Sequence, residues 1–294
     1  MTTRDSHNLR PFFTNTLINT LQGGTLINLI ATIGQGRKRL LEDIKKSQKR
    51  HVKILTADIV KYKNNYKGLI QTLWQQADNK GKSPTELQEL IIRFEKTAQH
   101  IIILLYHFDE LLNNAYLDKK FDVHFFNQLN SLKHQSKISL LCVTTQSYDQ
   151  SMIFIKGKKP CYSGLNLEKK RLPKLTHDEI KLELKCRDLS LSSYELSQIT
   201  WAVFSHAEPY HLLDFFSYQI NNQEDENVEI SQRIKMWINQ YSEENHPVTT
   251  SHISALNQIL NIRKMGKGIK KPQTFVMLFL KSLTFFGCLF TQKL

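Results

Sequence analysis

The stretch from Thr32 to Leu41, TIGQGRKRLL, gathers the residues best suited to holding an anion. Gly34 and Gly36 lack the Cβ that keeps other residues out of the left-handed region, so successive backbone N–H groups there can turn towards one point. Arg37, Lys38 and Arg39 add positive charge directly after the turn, and Leu40, Leu41 and Ile44 then recur at helical spacing. A helix that starts behind a glycine turn attracts phosphate through its unpaired N–H groups and its dipole. Gly34, Gln35, Gly36, Arg37, Lys38 and Arg39 are therefore the candidate nucleotide-binding residues. The competing reading is an ordinary strand-to-helix turn whose cations face water.

A second set lies at the end of the run IIILLYHF, where His107 is followed by Asp109 and Glu110. Histidine titrates near neutrality and suits general-base work, and two adjacent acids could supply a metal-linked carboxylate and a base. Their bland alternative is two acids in the first turn of a helix, where the dipole favours them.

These residues need elements to position them. TLINLIAT before the glycines reads as a strand, and HVKILTADI as a second one with alternating character. IIILLYHF and ISLLCVTT are continuous apolar runs, as strands buried on both faces of a parallel sheet tend to be. Helical patterns separate them: Tyr66 to Gln76, Pro84 to Thr97 with Ser83 as its cap, and FDVHFFNQLNSLKH. The alternation predicts an α/β fold with a parallel sheet built from βαβ units. Beyond Leu175 the pattern is all helical. THDEIKLELKC opens on a Thr176/Glu179 capping box, SSYELSQITWAVF and PYHLLDFFSYQI follow, NNQEDENVE reads as a loop, and Pro247 to Arg263 as one more helix. The expected organisation is an α/β core over 1–175, a helical lid over 176–263 and a basic, then hydrophobic tail over 264–294.

GQGRKRLL resembles the GxGKTxLL segment of STAND and AAA+-type P-loop ATPases, with Arg37 at the lysine position and Lys38 at the Ser/Thr position. LLYHFDELL resembles their second phosphate-site motif, with Tyr106 at the magnesium-linked aspartate and His107 at the catalytic glutamate. LLCVTTQS is similar to the strand that ends in their first sensor, which assigns that part to Thr144 or Thr145. RLPKLTHDEI is similar to the step into the helical lid, and SHAEPYHLL to a GxP-type helix start with Ala207 in place of glycine. The resemblance spans Leu26 to Gln219 and implies a P-loop NTPase-like sheet with a C-terminal helical lid. It also implies ATP or ADP as ligand and a damaged metal site. A Lys38 ammonium stands where a hydroxyl should hold magnesium, and Tyr106 removes the carboxylate, so no magnesium and no efficient hydrolysis are expected. In the rival alignment Asp109 and Glu110 are the metal-linked acid and the base, and the protein is an active ATPase.

The formal charge of +13, from 40 Lys and Arg against 27 Asp and Glu, favours anionic partners. Nucleic acid, an acidic protein, a second copy of the chain and a membrane surface all stay open. Cys142, Cys161, Cys186 and Cys288 show no zinc or redox spacing, which fits a reducing, cytoplasmic setting. The 11 histidines form no HExxH and no cluster with cysteine, so no metal site is expected. MTTRDSHNLRPFF has no apolar segment of the kind a secretory signal uses. Thr274 to Phe290 is 17 mostly apolar residues interrupted by Lys281, with Lys264, Lys267, Lys270 and Lys271 before it. That is short of the roughly 20 residues of a membrane span, and leaves surface attachment through 274–290 or a terminal packed helix as alternatives. The reading that joins these observations is a degenerate ATPase-like protein that binds nucleotide weakly and acts as a regulatory or scaffold component. A basic module for nucleic acid or membrane is the alternative from another class.

Overall fold

The computed structural model describes residues 7–77, 81–112, 117–148, 152–155, 159–222 and 228–245. Elements run in the order α1 (Pro11–Gln22), β1 (Leu26–Ile30), α2 (Arg37–Lys46), β2 (Val52–Asp58), α3 (Ile59–Tyr62), α4 (Tyr66–Gln76), α5 (Leu87–Glu95) and β3 (His100–Tyr106). There follow α6 (Asp109–Leu112), α7 (Val123–Ser131), β4 (Ile138–Thr144), β5 (Met152–Ile155), β6 (Lys159–Tyr162) and β7 (Glu168–Arg171). The helices α8 (His177–Cys186), α9 (Ser193–Ser205), α10 (Pro209–Asn222) and α11 (Ile230–Asn245) close the described chain. The predicted helix over Pro247 to Arg263 and the apolar tail lie outside the described residues, as do Cys288 and Lys281.

Five strands form one parallel sheet in the order β2-β3-β4-β1-β7, and β5 pairs with β6 as a separate antiparallel hairpin. The fold is thus the expected α/β parallel sheet. β1 and β4 are buried along their whole length because both faces are covered. Leu17, Leu21, Leu40 and Ile44 of α1 and α2 cover one face, together with Ile27, Leu29 and Leu141 of the sheet. Trp74, Ile91, Phe94, Phe125 and Phe126 of α4, α5 and α7 cover the other. The Cys142 thiol in β4 is held well above its ordinary pKa by burial, as a small hydrophobe rather than a reactive group.

The sheet's edge and one helix start differ from the sequence expectation. β7, Glu-Lys-Lys-Arg, is an exposed edge strand recruited by pairing Ile27 to Ile30 with Glu168 to Arg171. α5 starts at Leu87, three residues after the predicted Pro84, and Ser83 turns its hydroxyl to the Pro84 carbonyl instead of capping. The first N–H of the helix is satisfied from elsewhere in the fold: Leu87 N donates to the buried Tyr66 hydroxyl at 2.8 Å. Burial pushes the Tyr66 phenol up to about 12, so it stays protonated. Tyr66→Phe leaves that N–H without an acceptor and is expected to lower stability by about 1–3 kcal/mol, read as a reduced denaturant midpoint at unchanged slope. A midpoint equal to wild type would show that water replaces the phenol.

All five strands point the same way, so their C-terminal ends share one edge. The glycine turn after β1, His107 after β3, and Thr145 after β4 are brought together there, as the crevice rule for open α/β sheets requires. The capping box of Thr176 and Glu179 forms as expected at α8, and Ser192 with Glu195 builds a second one at α9. Among the described residues no helix is long and apolar enough to cross a membrane.

Candidate functional site

The turn between β1 and α2 adopts the conformation its glycines permit. Gly34 and Gly36 sit at φ 80° and 77°, and Gly36 is the N-cap of α2 with no side-chain cap. The first turn of α2 therefore presents its N–H groups without a side-chain acceptor, which is the arrangement that attracts anions. Lys38 is exposed and Arg37 half-buried.

Arg37 is aimed across the sheet edge at the end of β3. Its Nη2 lies 3.3 Å from His107 Nε2, and its guanidinium carbon is 5.2 Å from the centre of the Tyr106 ring. Arginine only donates, so Nε2 accepts and the imidazole proton sits on Nδ1, 2.8 Å from Asp58 Oδ1. His107 holds φ at 53°, a left-handed conformation uncommon for a residue with a Cβ. That turn puts the imidazole between Asp58 and Arg37. Burial raises the Tyr106 phenol, with the nearby Arg37 charge opposing the shift.

The acid pair is engaged with other groups. Asp109 Oδ2 accepts from the Thr145 hydroxyl at 2.6 Å, and Glu110 Oε2 lies 2.9 Å from Lys63 Nζ. Thr144 is fully buried, its hydroxyl 3.1 Å from Asn28 Oδ1 inside the sheet. Thr145 is thus the threonine at the crevice, and it holds Asp109.

Arg39 points to the opposite side of α2. Its guanidinium, 4% exposed, lies 3.2 Å from Asp43 Oδ1 and 3.9 Å from Glu183 Oε2, and donates to the His7 carbonyl at 2.9 Å. This corrects the grouping of Arg39 with the phosphate-facing cations. Arg39 is two residues round the helix from Arg37, and its charge is neutralised in a buried cluster.

The start of α10 and the residues before it pack on the turn. Tyr210 N donates to Gly34 O at 2.9 Å, and the Gln35 amide donates to Ala207 O at 2.8 Å. A Cβ on Gly34 would fall 2.4 Å from Glu208 Cβ, and one on Gly36 would fall 2.8 Å from the Tyr210 ring. Both glycines are therefore required twice, by their φ angles and by the approach of the α10 start. Arg187, the C-cap of α8, places its guanidinium carbon 5.7 Å from the Tyr210 ring centre.

Solved structures share this fold. Over 92% of the chain and 87% of the other, the structure aligns with a Walker-type ATPase of Pyrococcus abyssi at 12% identity and TM-score 0.54. Over 78% of the chain and 67% of the other, it aligns with the ORC2 protein of Aeropyrum pernix, solved as ADPNP and ADP complexes, at 11% identity and TM-score 0.52. The chain has the P-loop NTPase-like α/β fold of these proteins. No family model matches the sequence, and no curated protein matches it.

Within this P-loop NTPase-like fold, three residues of the site have no local sequence signal or only a weak one. Arg10 is 1% exposed and donates to Gln35 O at 2.7 Å and to Pro173 O at 3.1 Å, pinning the glycine turn from the N-terminal side. Burial lowers its pKa to about 10, so it remains charged. Nothing in RPFF announces this. Asp58, which orients His107, closes a strand at the crevice edge, and that position is the signal that would have found it. Glu208 was visible only as part of a helix start, since its approach to Gly34 depends on the lid.

Proposed function

We propose that this protein is a degenerate P-loop ATPase of the STAND/AAA+ type that binds ATP or ADP weakly, does not hydrolyse it efficiently, and works as a regulatory or scaffold component. The observation that carries the reading is the Arg37 contact. In a working site the loop cation reaches the phosphates, while a hydroxyl beside it and an acid at the end of the neighbouring strand hold a metal ion. Here the Arg37 guanidinium rests on Tyr106 and His107, and the nearest acids are bound to His107, Thr145 and Lys63. These residues do not fit magnesium. An ion that needs near-octahedral oxygen ligands would face a guanidinium, a phenol ring and an imidazole.

They do fit an anion. The uncapped α2 N-terminus, Arg37 and Lys38 supply donors and charge for nucleotide phosphates. Weakness follows from the lid, because the Glu208 side chain lies against Gly34 and its carboxylate opposes a phosphate at the same turn. The helices from Thr176 onward then act as a lid whose docking and release report occupancy to a protein partner or to a second copy of the chain. The α/β core over 1–175 supplies the loop and the sheet.

Calorimetric titration with ATP, with and without magnesium, tests this. Wild type is expected to bind equally in both conditions, and Arg37→Ala/Lys38→Ala to lose binding. Glu208→Gln is expected to bind more tightly than wild type. Magnesium-dependent binding, or ATP turnover that stops in Glu110→Gln, would instead establish the active-ATPase reading. If neither wild type nor variant binds, the fold serves as a scaffold alone.

A further inference from the structure

A parallel sheet gathers the starts of its strands as surely as their ends, and the edge opposite the phosphate loop is where the basic charge collects. The turn from α2 into β2 carries Lys45, Lys46, Lys49 and Arg50, all exposed. The turn into β3 adds Lys96, and the turn into β4 adds Lys133 and Lys137, also exposed. Against these seven cations the same stretches contribute Glu95 and the buried Asp43, and Glu168 opens β7. The whole chain has 40 to 27, so this edge is more basic than an even spread of charge would make it.

Two of these ammonium groups lie on neutral acceptors, which leave their charge in place. Lys49 Nζ reaches the neutral Gln22 amide oxygen at 3.4 Å, and Lys137 Nζ the backbone carbonyls of Glu95 and Thr97 at 3.3 and 3.1 Å. Small polar residues alternate with the cations: Ser47 and Gln48, Thr97 and Gln99, Gln135 and Ser136. Strands lie about 4.8 Å apart, so the row from β2 to β4 is about 10 Å wide and the full edge about 19 Å. A cleft of about 340 Å³, bordered by Lys133, Asn166 and Glu168, opens at the β1 and β7 end of the same edge.

We propose that this edge binds the phosphate backbone of duplex nucleic acid, independently of nucleotide at the glycine turn. Lys and Arg interleaved with Ser, Thr and Gln are the groups that position a protein on phosphates. A DNA duplex carries one charge per about 1.7 Å of axis, so a 19 Å edge meets several. A membrane surface is the other anionic candidate, and it pairs cations with apolar side chains that enter the lipid. The exposed large apolar residues, Phe12, Trp201 and Phe204 among them, belong to other segments, and the strand-start turns have none. Binding through backbone contacts alone predicts little preference for base sequence.

The test is fluorescence anisotropy of the full chain with a labelled mixed-sequence 20-base-pair DNA duplex, as a function of salt. Log affinity should fall linearly with log salt, and Lys49→Glu/Arg50→Glu and Lys133→Glu/Lys137→Glu should each reduce the slope by about 2. Lys181→Glu/Lys185→Glu makes the same change in net charge on exposed positions of α8 and should leave the slope near the wild-type value. All three substituted pairs of residues are on the surface, and thermal melts check that each variant is folded. Equal weakening by the α8 control, unchanged binding in both edge variants, or a wild type that binds phosphatidylserine vesicles and not the duplex would overturn the proposal.

Discussion

Glu183→Ala is expected to lower stability by about 3–5 kcal/mol, a fall in melting temperature of roughly 6–20 °C for a domain of this size. Glu183 is fully buried at the meeting point of three parts of the chain. Its Oε1 takes Arg187 Nε and Nη2 at 3.1 and 3.0 Å, and its Oε2 lies 3.0 Å from His7 Nε2 and 3.9 Å from Arg39 Nη2. Asp43, also fully buried, takes the Leu9 N–H at 2.8 Å and pairs with Arg39, while Asp214 of α10 lies 2.6 Å from Arg187. Burial raises the Asp43 pKa, with the Leu9 N–H and then the Arg39 charge opposing the shift. Removing one carboxylate from such a cluster strands cations in a low-dielectric site, which costs more than the pair contributed. The loss should be regional as well as global: amide exchange at Leu9, in α8 and in the first turns of α2 should accelerate before the sheet does. A melting temperature within a degree of wild type would show that the cluster is solvated in solution and does not tie the lid to α2.

The cluster also shows where sequence reading stops. Arg39 with Asp43 and Glu183 with Arg187 are both i,i+4 pairs, and from sequence each is indistinguishable from a pair on a solvated helix face. Their burial is created where α2 meets α8 and the segment before α1 reaches both, through contacts between residues far apart in the chain. The sheet interior was legible for the opposite reason. β1, β3 and β4 are buried on both faces, so their apolar runs had to be continuous, whereas β7 is an exposed edge and its Glu-Lys-Lys-Arg carries no strand pattern. The glycine turn was legible because a positive φ is a local demand. Arg10 was not, because its acceptors lie 25 and 163 residues away.

The same double demand on the glycines yields the second large effect. Gly34→Ala is expected to destabilise by about 2–5 kcal/mol, combining about 1–2 kcal/mol for a Cβ in the left-handed region with about 1–3 kcal/mol for overpacking. The added methyl would lie 2.4, 2.6 and 2.9 Å from Glu208 Cβ, Cγ and Cα, so one neighbour is backbone and cannot swing aside. The α10 start must then lift, breaking the Tyr210 N to Gly34 O bond and exposing the ring that covers Gly36. Two contributions to this cost can be separated by a double-mutant cycle. Glu208→Gly removes two of the three close atoms and leaves the φ strain, so the Gly34→Ala/Glu208→Gly pair should couple by about 0.5–3 kcal/mol in the direction of rescue. Strict additivity would mean that strain at φ 80° is the whole effect, and that the lid stands clear of the turn in solution. In that case the glycines would be kept for an anion alone, and the lid's part in weakening nucleotide binding would go with the contact.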